Sequence, residues 1–208
     1  TKVIEKAKTL GVGVGVVREQ SHVGRLGDYP QMATAQGLIG MMMCDSGQSP
    51  KIVTPFGGRE ARLGTNPICI AFPSDLPGPV CIDMATSAVA NGKIAVARAR
   101  KQEIPLGWAL DKDGKPTTDP NAFFSGGAIL PLGGPEGHKG YGLSFAVETL
   151  ASLLPGLGFG VDPFGRHNDG AFMVVIDPNL YQPLQDFKDQ VRDFVQYLKE
   201  TPKAEGFN

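Results

Sequence analysis

The chain has 208 residues, 41% hydrophobic and 20% charged, with twenty basic residues against twenty-one acidic ones and a formal charge of -1. This is a globular composition with room for one large or two small domains. The even charge balance argues against nucleic acid or an anionic membrane surface as partner, and no apolar run reaches the ~18 residues of a spanning helix. Cys44, Cys69 and Cys81 are odd in number, sit in apolar runs and lack C-x-x-C spacing. They read as buried free thiols, and with no secretory signal in view a soluble cytoplasmic protein is expected.

Residues 1–10 (TKVIEKAKTL) place Val3, Ile4, Ala7 and Leu10 at helical spacing, predicting the latter part of an amphipathic helix. GVGVGVVR follows. Its glycine spacing suggests a dinucleotide loop, but the third glycine of G-x-G-x-x-G is missing and the valines alternate with period two, so residues 11–18 predict a strand whose glycines permit close packing. A short helix over 28–36 and an apolar strand over 38–44 come next. A Pro- and Gly-rich loop then leads to strands over 68–72 and 80–84. Ser87 is expected to cap a helix over 88–100, and Asp111, Asp113 and Gly114 to form a hairpin tip. The glycine-dense segment 126–142 leads into a helix with Leu143, Ala146, Val147, Leu150, Ala151 and Leu154 on one face, ended by Pro155-Gly156. A strand over 171–176 and an amphipathic helix over 183–198 complete an α/β (α+β) pattern, expected as a mixed sheet packed with helices.

The three histidines, His22, His138 and His167, form no H-x-x-x-H or H-E-x-x-H pair, and no dedicated metal site is expected. Ser21-His22 lacks the G-x-S-x-G setting of a hydrolase nucleophile. His22 suits general acid/base work, because an imidazole titrates near ~6.5, although capping a helix or bonding a carbonyl would explain it equally well. His138-Lys139-Gly140 lies in a glycine-rich loop immediately before a long helix, where free amides favour an anion; the alternative is a tight turn with an exposed lysine. Thr65-Asn66-Pro67 and the DMATS segment at Asp83 are explained as readily by turn and cap chemistry as by a ligand.

Taken in order, SHVGRLGDY, PFGGREARLGTNP, IDMATSAVANGKIAVAR, GWALDKDGKPTTDP, LPLGGPEGHKGYGLSFAVETL and GAFMVVIDP resemble the malate/L-lactate dehydrogenase family, also described as L-sulfolactate and ureidoglycolate dehydrogenases. The resemblance implies a non-Rossmann nicotinamide-binding fold and an oxidoreductase using NAD or NADP on small 2-hydroxy and 2-oxo acids, with some relatives reducing cyclic imino acids. It further implies a homodimer. By the same resemblance His22 is the proton acceptor. Cofactor contacts fall on Ser46, on Thr65, Asn66 and Pro67, on Asp83, Met84 and Ala85, and on Leu132, Gly133, His138, Lys139 and Gly140. Family members carry an upstream helical segment and a downstream tail, so residues 1–208 are expected to be a central portion holding the NAD(P)-binding and catalytic core. Arg25 or Arg59 is then the available charge for a substrate carboxylate. A catalytically silent nucleotide-binding or assembly module and a histidine-dependent hydrolase are the competing readings.

Overall fold

The computed structural model describes residues 1–45, 47–162 and 168–207. In chain order the elements are α1 (Lys2–Leu10), β1 (Val12–Gln20), α2 (Asp28–Thr34), β2 (Ile39–Asp45), β3 (Ile68–Phe72), β4 (Val80–Met84) and α3 (Asn91–Ala99). They continue with β5 (Ala109–Leu110), β6 (Pro116–Thr117), α4 (Pro120–Phe124), β7 (Ala128–Ile129), α5 (His138–Glu148), β8 (Asp169–Ile176) and α6 (Leu184–Lys199). A five-stranded sheet in the order β1-β8-β2-β3-β4 and a three-stranded sheet in the order β6-β5-β7 make up the α/β architecture. Every pairing between these strands is antiparallel, which corrects the expectation of a mixed sheet. The single parallel pairing among the described residues is an isolated bridge between Val53 and Ile129.

The glycines of GVGVGVV settle how α1 meets the sheet. A side chain on Gly13 would place its Cβ 2.2 Å from the Val3 carbonyl oxygen, and one on Gly15 would reach 2.7 Å from Val3 Cγ2. The two glycines therefore let the helix backbone lie directly on β1, as the strand reading anticipated. Ile4 and Ala7 are buried with Ala33, Leu38 and Val175, whereas Leu10 is 73% exposed. Leu10 escapes because Gly11, in the left-handed region at φ 83°, ends the helix there and donates its N–H to Ala7 O.

Alternation then sends the valines to the other face of the sheet. Val14, Val174, Met41, Ile70 and Ile82 form one row across all five strands, and Val16, Phe172, Met43, Ile68 and Met84 form the next. At the far end of these rows Gly170 admits the helical segment after α5, since a Cβ there would lie 1.9 Å from Ala151 O. A second core gathers around the small sheet, with Val53, Ile94, Ile104, Phe123 and Ile129 packed against α3 and α4.

Three local expectations are corrected. Ser87 caps nothing: its hydroxyl donates to Val89 O, and α3 starts at Asn91 after Ala90. The helix after the glycine-rich segment begins earlier than its apolar spacing indicated, at His138. Its buried face is Gly140, Ser144, Val147 and Glu148; of the expected apolar stripe Val147 and Ala151 are buried while Leu143 and Leu154 are exposed, so buried polar residues share the inward face with the apolar ones. The Asp111 hairpin tip is as read, with Asp111 Oδ1 accepting from the amides of Asp113 and Lys115.

Gly13→Val should destabilise the fold by about 1–3 kcal/mol or more, because the helix backbone must move, whereas Val14→Thr on the exposed face should stay within about 0.5 kcal/mol. Urea denaturation of the two variants measures the contrast.

Candidate functional site

The C-terminal ends of β1, β2 and β4 and the start of β3 lie at one end of the large sheet. The chain leaves β1 through an irregular register between Val17 and Gln20, with Glu19 at φ 58°, and enters the segment that carries His22. This segment crosses the face on which Leu26 packs with Cys44 and Cys69, and it stops at β4. There Gly27 N donates to Asp83 Oδ2 at 2.9 Å, and Arg25 Nε lies 4.0 Å from the same oxygen. Asp83 therefore fixes the loop that presents His22. His22 is exposed, and its Nδ1 accepts the Gly24 amide at 3.0 Å. Arg25 also pairs with Asp28 at 2.5 Å, whereas Arg59 lies against the hairpin turn at Gly114.

A chain of backbone contacts joins the other expected residues. Thr65 O accepts from Thr86 N and from the Thr86 hydroxyl, Asn66 O accepts from that hydroxyl, and Thr86 O accepts from Leu132 N. Leu132 O in turn accepts from Gly140 N, with Gly140 so close that a Cβ would lie 2.2 Å from that oxygen. Pro67 O accepts from Cys44 N at the end of β2. Thr65, Asn66, Pro67, Leu132 and Gly140 are thus brought together, and Ala85 precedes Thr86 in the same junction. Gly133 turns the chain at φ 120° toward the 3₁₀ turn Gly134–Glu136. Met84 belongs to an apolar row on the opposite face from Asp83. Ser46 and His167 lie outside the described residues.

His138, Lys139 and Gly140 form the first turn of α5 instead of the loop before it. Among the described residues no backbone acceptor faces the His138 and Lys139 amides. Both side chains are exposed; Glu136 lies 3.4 Å from Lys139 and 3.8 Å from His138, and the half-exposed Phe56 ring meets His138 edge-on.

Sequence reasoning missed a buried polar cluster beneath this junction. Glu148 Oε2 accepts from Asn66 Nδ2 at 2.9 Å, and Oε1 accepts from Lys51 Nζ at 3.0 Å. Lys51 Nζ also donates to Gly47 O and lies 3.7 Å from Asp45 Oδ1. The Lys51 and Asp45 side chains are 3% and 0% exposed. The available signals were Asn66 in a turn and a glutamate on the inward side of α5, yet neither names its partner. Burial pushes the Asp45 carboxyl up to about 7, with Glu148 adding to the rise and Lys51 opposing it. Burial likewise pushes the Cys44 and Cys69 thiols up to about 12, which fits inert core cysteines and no nucleophile.

The raised Asp45 value has a stability consequence. Between its ordinary 3.8 and about 7 the folded chain binds the proton that the unfolded chain releases. This contribution is complete below the lower value and is lost as pH rises through the upper one. Asp45→Asn should flatten that part of the stability curve, measured as denaturation midpoints across the same pH range.

The sequence profile described as Malate/L-lactate dehydrogenase matches residues 1–208. The malate/(S)-sulfolactate dehydrogenase of Methanothermus fervidus is 42% identical over 206 residues, covering 96% of this chain and 58% of that protein. The NAD(+) ureidoglycolate dehydrogenase of Escherichia coli O157:H7 is 38% identical over 212 residues, covering 99% and 58%. The crystal structure of malate dehydrogenase from Entamoeba histolytica superposes with a TM-score of 0.90 at 32% identity, covering 100% of this chain and 61% of that one. The chain thus spans 58% of the length of the two curated relatives. Among the described residues no helix is long and apolar enough to cross a membrane. A match from the first residue to the last, joined to the same fold, assigns this chain to the malate/L-lactate dehydrogenase family.

Proposed function

We propose that the protein is a nicotinamide-dependent dehydrogenase interconverting a small 2-hydroxy acid and its 2-oxo acid, with His22 as proton acceptor in oxidation and donor in reduction. The observation that supports this best is the convergence on one end of the sheet of the His22 loop and the Thr65–Thr86–Leu132–Gly140 junction. The first turn of α5 suits the pyrophosphate of NAD or NADP, because two amides there lack a backbone acceptor and the Lys139 side chain is 68% exposed. Glu136 must yield Lys139 for that contact. When bound, the nicotinamide ring accepts or returns the C2 hydride.

The described geometry constrains what His22 does. With Nδ1 accepting from Gly24, the neutral ring holds its proton on Nε2. To take a hydroxyl proton at Nε2, the ring must release Gly24 and carry its own proton at Nδ1. Gly24, at φ 73° with nothing within 4 Å of a would-be Cβ, leaves room for that change. In reduction the doubly protonated ring returns the Nε2 proton to the oxygen. Asp83 orients the segment, and Arg25, three residues from His22, supplies positive charge for the substrate carboxylate. A homodimer, which rests on the family resemblance, and a cytoplasmic setting, which rests on the free thiols, are part of the same proposal.

A nucleotide-binding module without turnover is the second reading, favoured by His22 Nδ1 being engaged by the Gly24 amide. Following reduced-nicotinamide absorbance with NADH and NADPH against pyruvate, oxaloacetate, sulfopyruvate, oxalurate and a cyclic imino acid separates the two, since cofactor binding without oxidation supports the silent module. For an active enzyme His22→Asn should lower kcat by about 10²–10⁴ while cofactor binding persists. Unchanged turnover rejects His22 as the proton carrier.

A further inference from the structure

Glu148 stands where several of the segments expected to hold the cofactor meet. One of its oxygens accepts from Asn66 and the other from Lys51. Asn66 Nδ2 is also 3.0 Å from Ser144 Oγ and 3.2 Å from Ser144 O, so its NH2 group is tied to α5, while the buried Asn66 Oδ1 has no hydrogen-bond partner among the described residues. The Asn66 backbone sits in the left-handed region at φ 40°, a conformation that a side chain held by its neighbours can maintain. Lys51 carries the link onward to the Gly47 carbonyl oxygen, and the Gly47 amide donates to Asp45 Oδ2 at 2.5 Å. A single carboxylate thereby joins the first helix after the glycine-rich segment, the turn before β3 and the turn after β2.

Stability gives little reason for such a cluster. A buried lysine shared by two carboxylates is costly to desolvate, and apolar side chains of similar volume would hold the fold as well or better. A directional network does what apolar packing does poorly: it fixes three backbone segments in one relative position.

We propose that Glu148 is a positioning residue that locks the Thr65–Asn66–Pro67 turn, Asp45 and Gly47 at the end of β2, and the helix α5 into one preformed cofactor cradle. This rests on the reading that those segments hold a nicotinamide cofactor. Glu148 itself touches neither substrate nor cofactor, so its removal acts on cofactor affinity more than on the chemical step.

In the full-length protein, Glu148→Ala should raise the KM for the reduced cofactor about tenfold, the size expected for a lost charge-assisted hydrogen bond, with kcat changed less than about threefold. Glu148→Gln, whose side-chain oxygen still accepts a hydrogen bond from Asn66, should restore KM to within about threefold of wild type. An unchanged KM in Glu148→Ala, or a fall in kcat with KM intact, overturns the proposal. Hydrogen exchange of the wild-type protein without cofactor supplies a measurement that needs no folded variant. The amides of residues 47–49, 51, 64–66 and 138–148 should open as one unit, and independent opening of the three segments overturns the lock. If the wild type binds neither NADH nor NADPH, the functional reading falls and this proposal with it. If the wild type binds cofactor and Glu148→Ala binds it equally well, this proposal alone falls.

Discussion

The buried ammonium of Lys51, held between Glu148 and Asp45, is the interaction on which the arrangement at this end of the molecule depends. Each buried ion carries a desolvation penalty of several kcal/mol, and removing one partner from such a group typically costs about 3–5 kcal/mol. Burial is the main reason the Asp45 carboxyl keeps its proton up to about 7, and the Glu148 carboxylate adds to it, since full ionisation of two carboxylates beside one lysine would leave an uncompensated negative charge in a dry place. The geometry follows from this charge balance. Lys51 stays where it best meets Glu148, and the turns on either side of it inherit their positions.

The large sheet makes that position possible by being packed differently on its two faces. On one face, glycines at 13 and 15 bring the α1 backbone against β1, and Leu26 covers Cys44 and Cys69. On the other, Gly170 allows the helical segment following α5 to seat against β8, leaving Glu148 within reach of Lys51. The His22 loop and α5 therefore approach the same end of the sheet from opposite faces. The Asp83 carboxylate holds the first, and the Glu148 carboxylate holds the second.

Much of this was legible where the governing physics is local. The strands over 68–72 and 80–84 have the bounds read from their apolar runs, because a short apolar run flanked by turn residues has few alternatives, even though the second is a partly exposed edge strand. The Asp111 turn forms as read, since an aspartate bonding amides two and four residues ahead needs nothing from the rest of the chain. Reading the glycines of GVGVGVV as a packing surface also held, on the strength of the period-two valines. Ser87 misled because a capping residue has other uses: its hydroxyl satisfies Val89 O while the chain pairs with Pro131. In α5 the apolar spacing found Val147 and, just beyond the helix, Ala151, but not Ser144 and Glu148, which are buried beside them with Asn66 and Lys51 as partners.

By itself the sequence determined the types of the larger elements, though not α4 or the strand β7, together with the sheet-and-helix class, the free cysteines and, through six ordered motifs, the family. These depend on side-chain periodicity, on turn chemistry within a few residues, and on a recognisable order of segments. Tertiary structure alone decided which distant groups meet: Lys51 with Glu148 across 97 residues, and Gly27 with Asp83 across 56. It also decided that Asn66 and Asp83 spend their side chains bracing backbone. Nothing local encodes such pairings, because each partner is an ordinary polar residue until the antiparallel sheet brings both to the same end and removes the water that would otherwise satisfy them.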